Sequence, residues 1–201
     1  LQPTGPELEN YTRFRFTDSG VSPISHPGMK GGSYLAAGIE HNEQGAPSSN
    51  GEMHARMNDK RLHKLDPLKK RRSLFVQEGD PDATVGLVSG GSIAGGALEA
   101  VRTARAQGVR VKLLIPKLVY PVAEDVYRDF FASLDHCLVV EQSHQGQLHR
   151  IIRMWMNVPK NFIALAKSGA NPITPDEVLR QILRLTHESA PAPTAGAVLS
   201  H

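Results

Sequence analysis

Cysteine, aromatic residues and long apolar runs are all scarce in this chain. Cys137 is the single cysteine among 201 residues, so no intrachain disulfide forms, which fits a reducing compartment. Phe, Trp and Tyr together make up 5%, too few for the stacking platforms that hold single-stranded nucleic acid. No apolar stretch reaches the roughly 20 residues that a membrane-spanning helix needs, and no secretory signal pattern is present. Charge of one sign is not in large excess either: the formal net charge is +3. The basic residues are instead crowded locally, as Lys60, Arg61, Lys64, Lys69, Lys70, Arg71 and Arg72. The chain opens on Leu1 rather than Met, so a processed or fragmentary N-terminus is expected.

Catalytic signatures are also missing. The run SGGSIAGG (89–96) lacks the Lys and Ser/Thr pair of a triphosphate loop. Gly90 and Gly95 are spaced as the first and third glycines of a dinucleotide loop, but Ser92 stands where the middle one belongs. Lys117, not an acid, closes the strand that follows. His144 and His149 are not at the spacing of a helical ligand pair, and no His/Cys cluster has zinc spacing. There is no G-x-S-x-G elbow and no convincing Ser/His/Asp set. By motif alone, no active site is visible.

What is present is a regular alternation from residue 80 onward. Val85, Leu87 and Val88 form an apolar run of strand type, and Ser89–Ser92 a glycine turn. Ile93, Ala97, Leu98 and Val101 then recur at helical spacing, and Gly108 occupies a helix C′ position. The segment 109–115 is a second strand, so the three pieces form a βαβ unit and a parallel sheet. Helix over 121–131, strand over 136–140, helix over 146–156 and strand over 161–165 continue the order. The segment 174–185 is a helix, with Thr174 as N-cap and Pro175 at the first helical position. The fold class is therefore α/β: an open, mainly parallel sheet with crossover helices.

Residues 1–50 are rich in Gly, Pro, Ser and Asn, with only 14–16 and 33–40 strand-like, and could equally be disordered or loop-rich structure. Residues 51–75 turn helical and basic, broken at Pro67. The expected organisation is a loop-rich arm with a basic helix over 1–78, an α/β domain over 79–187, and a disordered Ala/Pro-rich tail over 188–201.

Three features bear on function, each beside a plainer reading. The turn Ser89, Gly90, Gly91, Ser92 is either a tight corner or an anion contact at a helix N-terminus, with Gly95 and Gly96 letting the helix approach the sheet. The cluster Glu40, His41, Asn42, Glu43 has the donors of a metal or acid–base site. Neighbouring residues on a strand point apart, however, so a polar loop bonding its own backbone or a partner subunit is the plainer reading. The run Lys60–Arg72 is a solvated helix face, a dock for an acidic protein or, least simply, a nucleic-acid contact without any reading motif.

Several segments together resemble one family. Glu40, His41, Asn42, Glu43 and Gly45, followed by Met57, Lys60, Arg61, Lys64 and Leu65, are similar to the EH(D/N)E-x-G and Met-x-x-Lys-Arg-x-x-Lys-Leu pattern of 2-oxoacid:ferredoxin oxidoreductase alpha subunits. Residues 16–32 resemble the same family's Thr-x-x-Gly-Val-Ser-Pro stretch with its following Pro-Gly. Gly91–Ser92, Tyr120–Pro121 and residues 139–148 resemble the next, transketolase C-terminal-like, domain. Two departures stand out: Ser143 replaces a frequent Asn, and Gly95–Gly96 stand where a larger residue is usual.

The resemblance implies oxidative cleavage of a 2-oxoacid, of 2-oxoglutarate or pyruvate class, with coenzyme A, giving acyl-CoA, carbon dioxide and reduced ferredoxin. It implies thiamine diphosphate, Mg and an iron–sulfur cluster in the assembled enzyme. These would be held mainly by other domains or by the beta subunit, and none by this chain alone. The chain would be the C-terminal part of a cytoplasmic alpha subunit, structural and interface-forming, with no nucleic-acid or membrane partner. No catalytic residue and no metal ligand is expected in it. Ser89, Gly90, Gly91 and Ser92 stand as anion or interface candidates, and Glu40, His41, Asn42, Glu43, Lys60, Arg61 and Lys64 as interface candidates. The alternatives are a stand-alone small-ligand or nucleotide-binding α/β module and, more weakly, a dock for an acidic protein.

Overall fold

The computed structural model describes residues 1–189 and divides the chain into two compact units, Leu1–Leu68 and Lys69–His201. The tail expected from 188 lies, from residue 190 on, outside the described residues; 188 and 189 belong to the last helix.

The first unit is built from turns around two helices, α1 (Gly5–Glu9) and α2 (Gly51–His63). Asn50 starts α2, its side-chain oxygen accepting from the Met53 amide at 2.8 Å. No strand forms at 14–16 or 33–40; a single bridge joins His41 to Pro47. Both segments read as strand-like, but at 14–16 Glu43 takes the backbone donors a partner strand would have taken. Its carbonyl accepts from Phe14 N at 3.0 Å and its carboxylate from Phe16 N at 2.8 Å. Side chains likewise replace a ladder elsewhere: the Tyr11 hydroxyl bridges Pro23 O and Ser25 N, both at 3.0 Å. The short helix α3 (Asp66–Lys69), with Pro67 in its first turn, falls where the two units divide.

The second unit is a five-stranded sheet of order β1-β3-β2-β4-β5. Its strands are β1 (Phe75–Gly79), β2 (Val85–Ser89), β3 (Val111–Pro116), β4 (His136–Glu141) and β5 (Asn161–Ala166). Leu87 lies opposite Leu113 on one side and Leu138 on the other, and these pairings are parallel. β1, which the sequence did not reveal, adds antiparallel to β3 at the edge. Helix α4 (Ala94–Ala106) follows β2, α5 (Glu124–Phe131) follows β3, α6 (Gln147–Trp155) follows β4 and α7 (Pro175–Ser189) follows β5. The mainly parallel sheet with crossover helices expected from the sequence is therefore the sheet found.

The core divides by strand face. Val85, Leu87, Leu113 and Leu138 pack on α4 and α7 through Ala97, Val101, Val178 and Ile182. Val88, Leu114 and Val139 point the other way, onto α5 and α6 through Val126, Phe130 and Ile152. Cys137 is fully buried in this second layer, and burial pushes its thiol up. Gly108 ends α4 at φ +83°, and Thr174 caps α7 by a reciprocal pair with Glu177 at 2.7 and 3.2 Å. The glycines of α4 do not serve the sheet as expected: Gly96 approaches Pro175 Cγ of α7, where an added Cβ would sit at 3.7 Å, and Gly95 has open space.

Candidate functional site

In the second unit, α4 leaves β2 toward one face of the sheet and α6 leaves the adjacent β4 toward the other. The loops after the two strands diverge, which opens a crevice at the carboxyl ends of the strands. This cleft holds about 740 Å³ and is lined by Gly90, Gly91 and Ser92 after β2, Lys117 after β3, and Gln142 and Ser143 after β4. Gly91 has φ +65° in the turn that leads into α4, a conformation that only glycine adopts without strain. Ser89, which the sequence places at the end of a strand over 84–89 and also in this turn, is the last residue of β2: it is fully buried and its Oγ donates to Val140 O at 3.0 Å. Lys117 was not among the candidate site residues. Its ammonium is exposed and makes no ion pair with any described residue.

Glu141 forms the cleft wall at the end of β4. The residue is 8% exposed, and its carboxylate accepts from Leu148 N at 2.9 Å, His149 N at 3.0 Å and Ser143 Oγ at 3.0 Å. Ser143 Oγ accepts in turn from Gly146 N at 3.0 Å. The departure from the familiar Asn thus has a role here: a hydroxyl links the buried carboxylate to the start of α6, where the helix dipole favours negative charge. Gln142 is tied to the loop after β5, donating to Gly169 O at 2.8 Å. The cleft thus combines the exposed Lys117 ammonium, a fully hydrogen-bonded Glu141 carboxylate and apolar walls. With both Glu141 oxygens engaged it does not suit a divalent cation, which asks for free carboxylates.

In the first unit, the cluster Glu40–Glu43 turns its polar groups onto its own surroundings. The Glu40 carboxylate takes both Arg61 nitrogens, at 2.7 and 2.8 Å, and the His41 amide at 3.0 Å. His41, 9% exposed, stacks on Phe14 with ring centres 4.0 Å apart, its Nδ1 at 2.9 Å from Asn42 O. Asn42 Oδ1 accepts from Gln44 N and Ala46 N. This is a loop that bonds its own backbone. Lys60 and Lys64, one turn apart on α2, line a second cavity with Arg13. The Arg61 fork, and after it the His41 amide, hold the Glu40 carboxyl at about 2, well below its ordinary 4.5. Arg61→Gln is expected to return Glu40 toward the ordinary range, read as the midpoint of its side-chain carbon shift in an NMR pH titration. The sign follows: Glu40 stabilises the fold above about pH 4.5 and loses that contribution as pH falls toward 2.

A mainly parallel α/β sheet with a crevice at its switch point defines a broad class of ligand-handling domains. Comparison with known proteins narrows it. Residues 83–178 match the family model for the pyruvate:ferredoxin oxidoreductase core domain II. Over 179 residues the chain is 28% identical to the alpha subunit of 2-oxoacid:ferredoxin oxidoreductase 2 of Aeropyrum pernix, covering 88% of this chain and 27% of that protein. It is 30% identical over 152 residues to the 2-oxoglutarate synthase subunit KorA of Methanothermobacter marburgensis, covering 73% and 39%. Among solved structures it superposes on the 2-oxoglutarate:ferredoxin oxidoreductase from Magnetococcus marinus with 2-oxoglutarate, coenzyme A and succinyl-CoA bound. The TM-score is 0.79 at 30% identity, over 92% of this chain and 32% of that one. The chain belongs to the 2-oxoacid:ferredoxin oxidoreductase alpha-subunit family. It spans about a quarter of the length of the Aeropyrum relative.

Proposed function

We propose that the chain forms part of the alpha subunit of a thiamine-diphosphate-dependent 2-oxoacid:ferredoxin oxidoreductase of 2-oxoglutarate or pyruvate class, working in the cytoplasm with a beta subunit. The complex would convert 2-oxoacid, coenzyme A and oxidised ferredoxin to acyl-CoA, carbon dioxide and reduced ferredoxin. One observation carries this reading: a single relative, the Magnetococcus enzyme, follows both the loop-rich unit and the α/β unit, in that order, across 92% of the chain.

Thiamine diphosphate supplies the carbanion chemistry of such an enzyme. The residues of this chain do not fit its metal–diphosphate end. Glu141, the acid at the cleft, has both oxygens bonded to α6 and Ser143, and no second carboxylate lines that crevice among the described residues. Cys137, single and buried, cannot ligate a cluster by itself. The proposed role is accordingly structural and interface-forming. Exposed apolar side chains suit it: Tyr120 and Trp155, both about half exposed, meet edge to face at 6.2 Å, and Met154 beside them is 73% exposed. The purified 201-residue chain is expected to show no 2-oxoacid turnover and no tight thiamine diphosphate binding. Turnover by the chain alone overturns the assignment.

A second reading, a stand-alone small-ligand or nucleotide-binding module, is favoured by the 740 Å³ cleft with Lys117 at its rim. Calorimetric titration of the isolated chain with nucleotides and with thiamine diphosphate separates the two. Saturable heat in the isolated chain, abolished by Lys117→Gln, supports the module; its absence leaves the subunit reading.

A further inference from the structure

We propose that the first unit carries a binding site for a compact phosphate-type oxyanion, in the cavity that Arg13, Lys60 and Lys64 surround. The cavity holds about 270 Å³, enough for a phosphate group with part of a carrier. Phe14, Met57, Ser22, His41 and Arg61 are among the other residues of its wall. It lies entirely within residues 13–64, apart from the switch-point cleft, and the site is independent of the reading given under Proposed function.

Three cations meet one carboxylate that has no ion-pair partner among the described residues. Of the two acids nearby, Glu40 is ion-paired, and Glu43 keeps its charge, which acts on Lys60. Glu40 is held bidentately by Arg61, and the Glu43 carboxylate accepts the Phe16 amide at 2.8 Å. Arg61, on the same wall, is thereby neutralised. Arg13 makes no ion pair with any described residue; its guanidinium lies over Phe14 at 5.1 Å and Tyr34 at 5.8 Å, which holds the planar fork in place. Lys64 likewise makes no ion pair with a described residue. Lys60 spends one proton on Phe14 O at 2.7 Å and keeps two donors.

The strain of this convergence registers on Lys60. Desolvation, then the charges of Arg13 and Lys64, pull its ammonium down to about 8 from 10.5, with Arg61 adding to the effect and Glu43 opposing it. An anion seated among the cations removes that repulsion. Lys60 and Lys64, at the C-terminal end of α2, act as point charges, and Arg13, from the N-terminal loop segment, as a fork. A tetrahedral group presents oxygens in several directions to such a set, whereas a planar carboxylate presents its oxygens to one fork. The loop on one side is fixed against α2: Gly20 has φ +71°, and an added Cβ would lie 2.9 Å from Lys60 O.

The test is titration of the full chain with inorganic phosphate and, separately, with glycerol phosphate, at ionic strength held constant with chloride. Saturable binding is expected, weakened about tenfold or more by Lys64→Gln and by Arg13→Gln, as loss of a charge-assisted hydrogen bond implies. Lys160→Gln, at an exposed lysine of the second unit that lines neither cavity, should leave it unchanged. Both test side chains reach solvent, and circular dichroism verifies that the variants fold. A second readout is acylation at pH 8, where Lys60 should react faster than Lys117 and phosphate should protect Lys60 selectively. Equal affinity for both probes identifies free phosphate as the ligand type, and tighter binding of glycerol phosphate identifies a monoester; either supports the site. No saturable binding, binding that survives both Lys64→Gln and Arg13→Gln, or saturation with glutarate but not with phosphate overturns it.

Discussion

Glu141→Leu should lower the stability of the α/β unit by about 3–5 kcal/mol in urea denaturation, because charged-acceptor hydrogen bonds contribute about 1.5–3 kcal/mol each and unmade ones inside a protein cost more. The carboxylate is buried and accepts from two α6 amides and from Ser143, so leucine removes three bonds and leaves the Leu148 and His149 amides in the first turn of α6 without their acceptor. Glu141→Gln keeps the shape and one acceptor oxygen, and should cost about half as much. The cleft should report the same event, since Ser143 and Gln142 line it and follow Glu141 directly. A Glu141→Leu protein within about 1 kcal/mol of the parent would show that this network does not hold α6 in place.

Gly45→Ala should break the first unit locally, at a cost of about 3 kcal/mol or more. Gly45 sits at φ +87°, and an added Cβ would lie 1.9 Å from Leu35 O and 2.9 Å from the Leu35 carbonyl carbon. The left-handed conformation alone costs a non-glycine residue about 1–2 kcal/mol. The clash is with backbone, so relief requires the turn to open, which gives up the Asn42 N to Ala46 O bond at 2.9 Å and the Asn42 side-chain bonds. Gly38→Ala is the control: nothing lies within 4 Å of its added Cβ and its φ is ordinary, so the change should stay within about 0.5 kcal/mol. Amide exchange distinguishes the outcomes by location. In Gly45→Ala, protection should fall across residues 14–47 while β2 and β4 keep theirs. Unchanged protection in the first unit would contradict the reading of this glycine.

How much of this was legible in the residues follows from how each segment is stabilised. The parallel strands β2, β3 and β4 are buried on both faces, so their apolar runs stand out, and Gly108 and Thr174 mark helix ends by chemistry that acts locally. β1 buries only Phe75 of its five residues, so FVQEG carries no strand pattern; its place comes from pairing with β3. The segments 14–16 and 33–40 carry the opposite error; at 14–16, local alternation gave no sign that Glu43 would take the backbone donors. The glycine turn was visible as a turn and Ser89 as the end of the strand before it; that its hydroxyl bonds across to β4 was not. Lys117 and Glu141 join the cleft only through the strand order, which no local pattern encodes. In the first unit the motif residues were legible as a set. Their roles were not, because the Arg61–Glu40 and Lys60–Phe14 bonds span 21 and 46 residues.

The central claim is that this chain works as a segment of an alpha subunit against a beta subunit. Co-expression of the tagged 201-residue chain with the beta subunit of a 2-oxoacid:ferredoxin oxidoreductase, followed by affinity capture and mass measurement of the intact complex, tests it most directly. The account predicts a defined complex containing both chains, lost when the exposed Tyr120, Met154 and Trp155 are replaced together by serine while the sheet's circular dichroism is kept. A folded chain that elutes alone from that co-expression contradicts it.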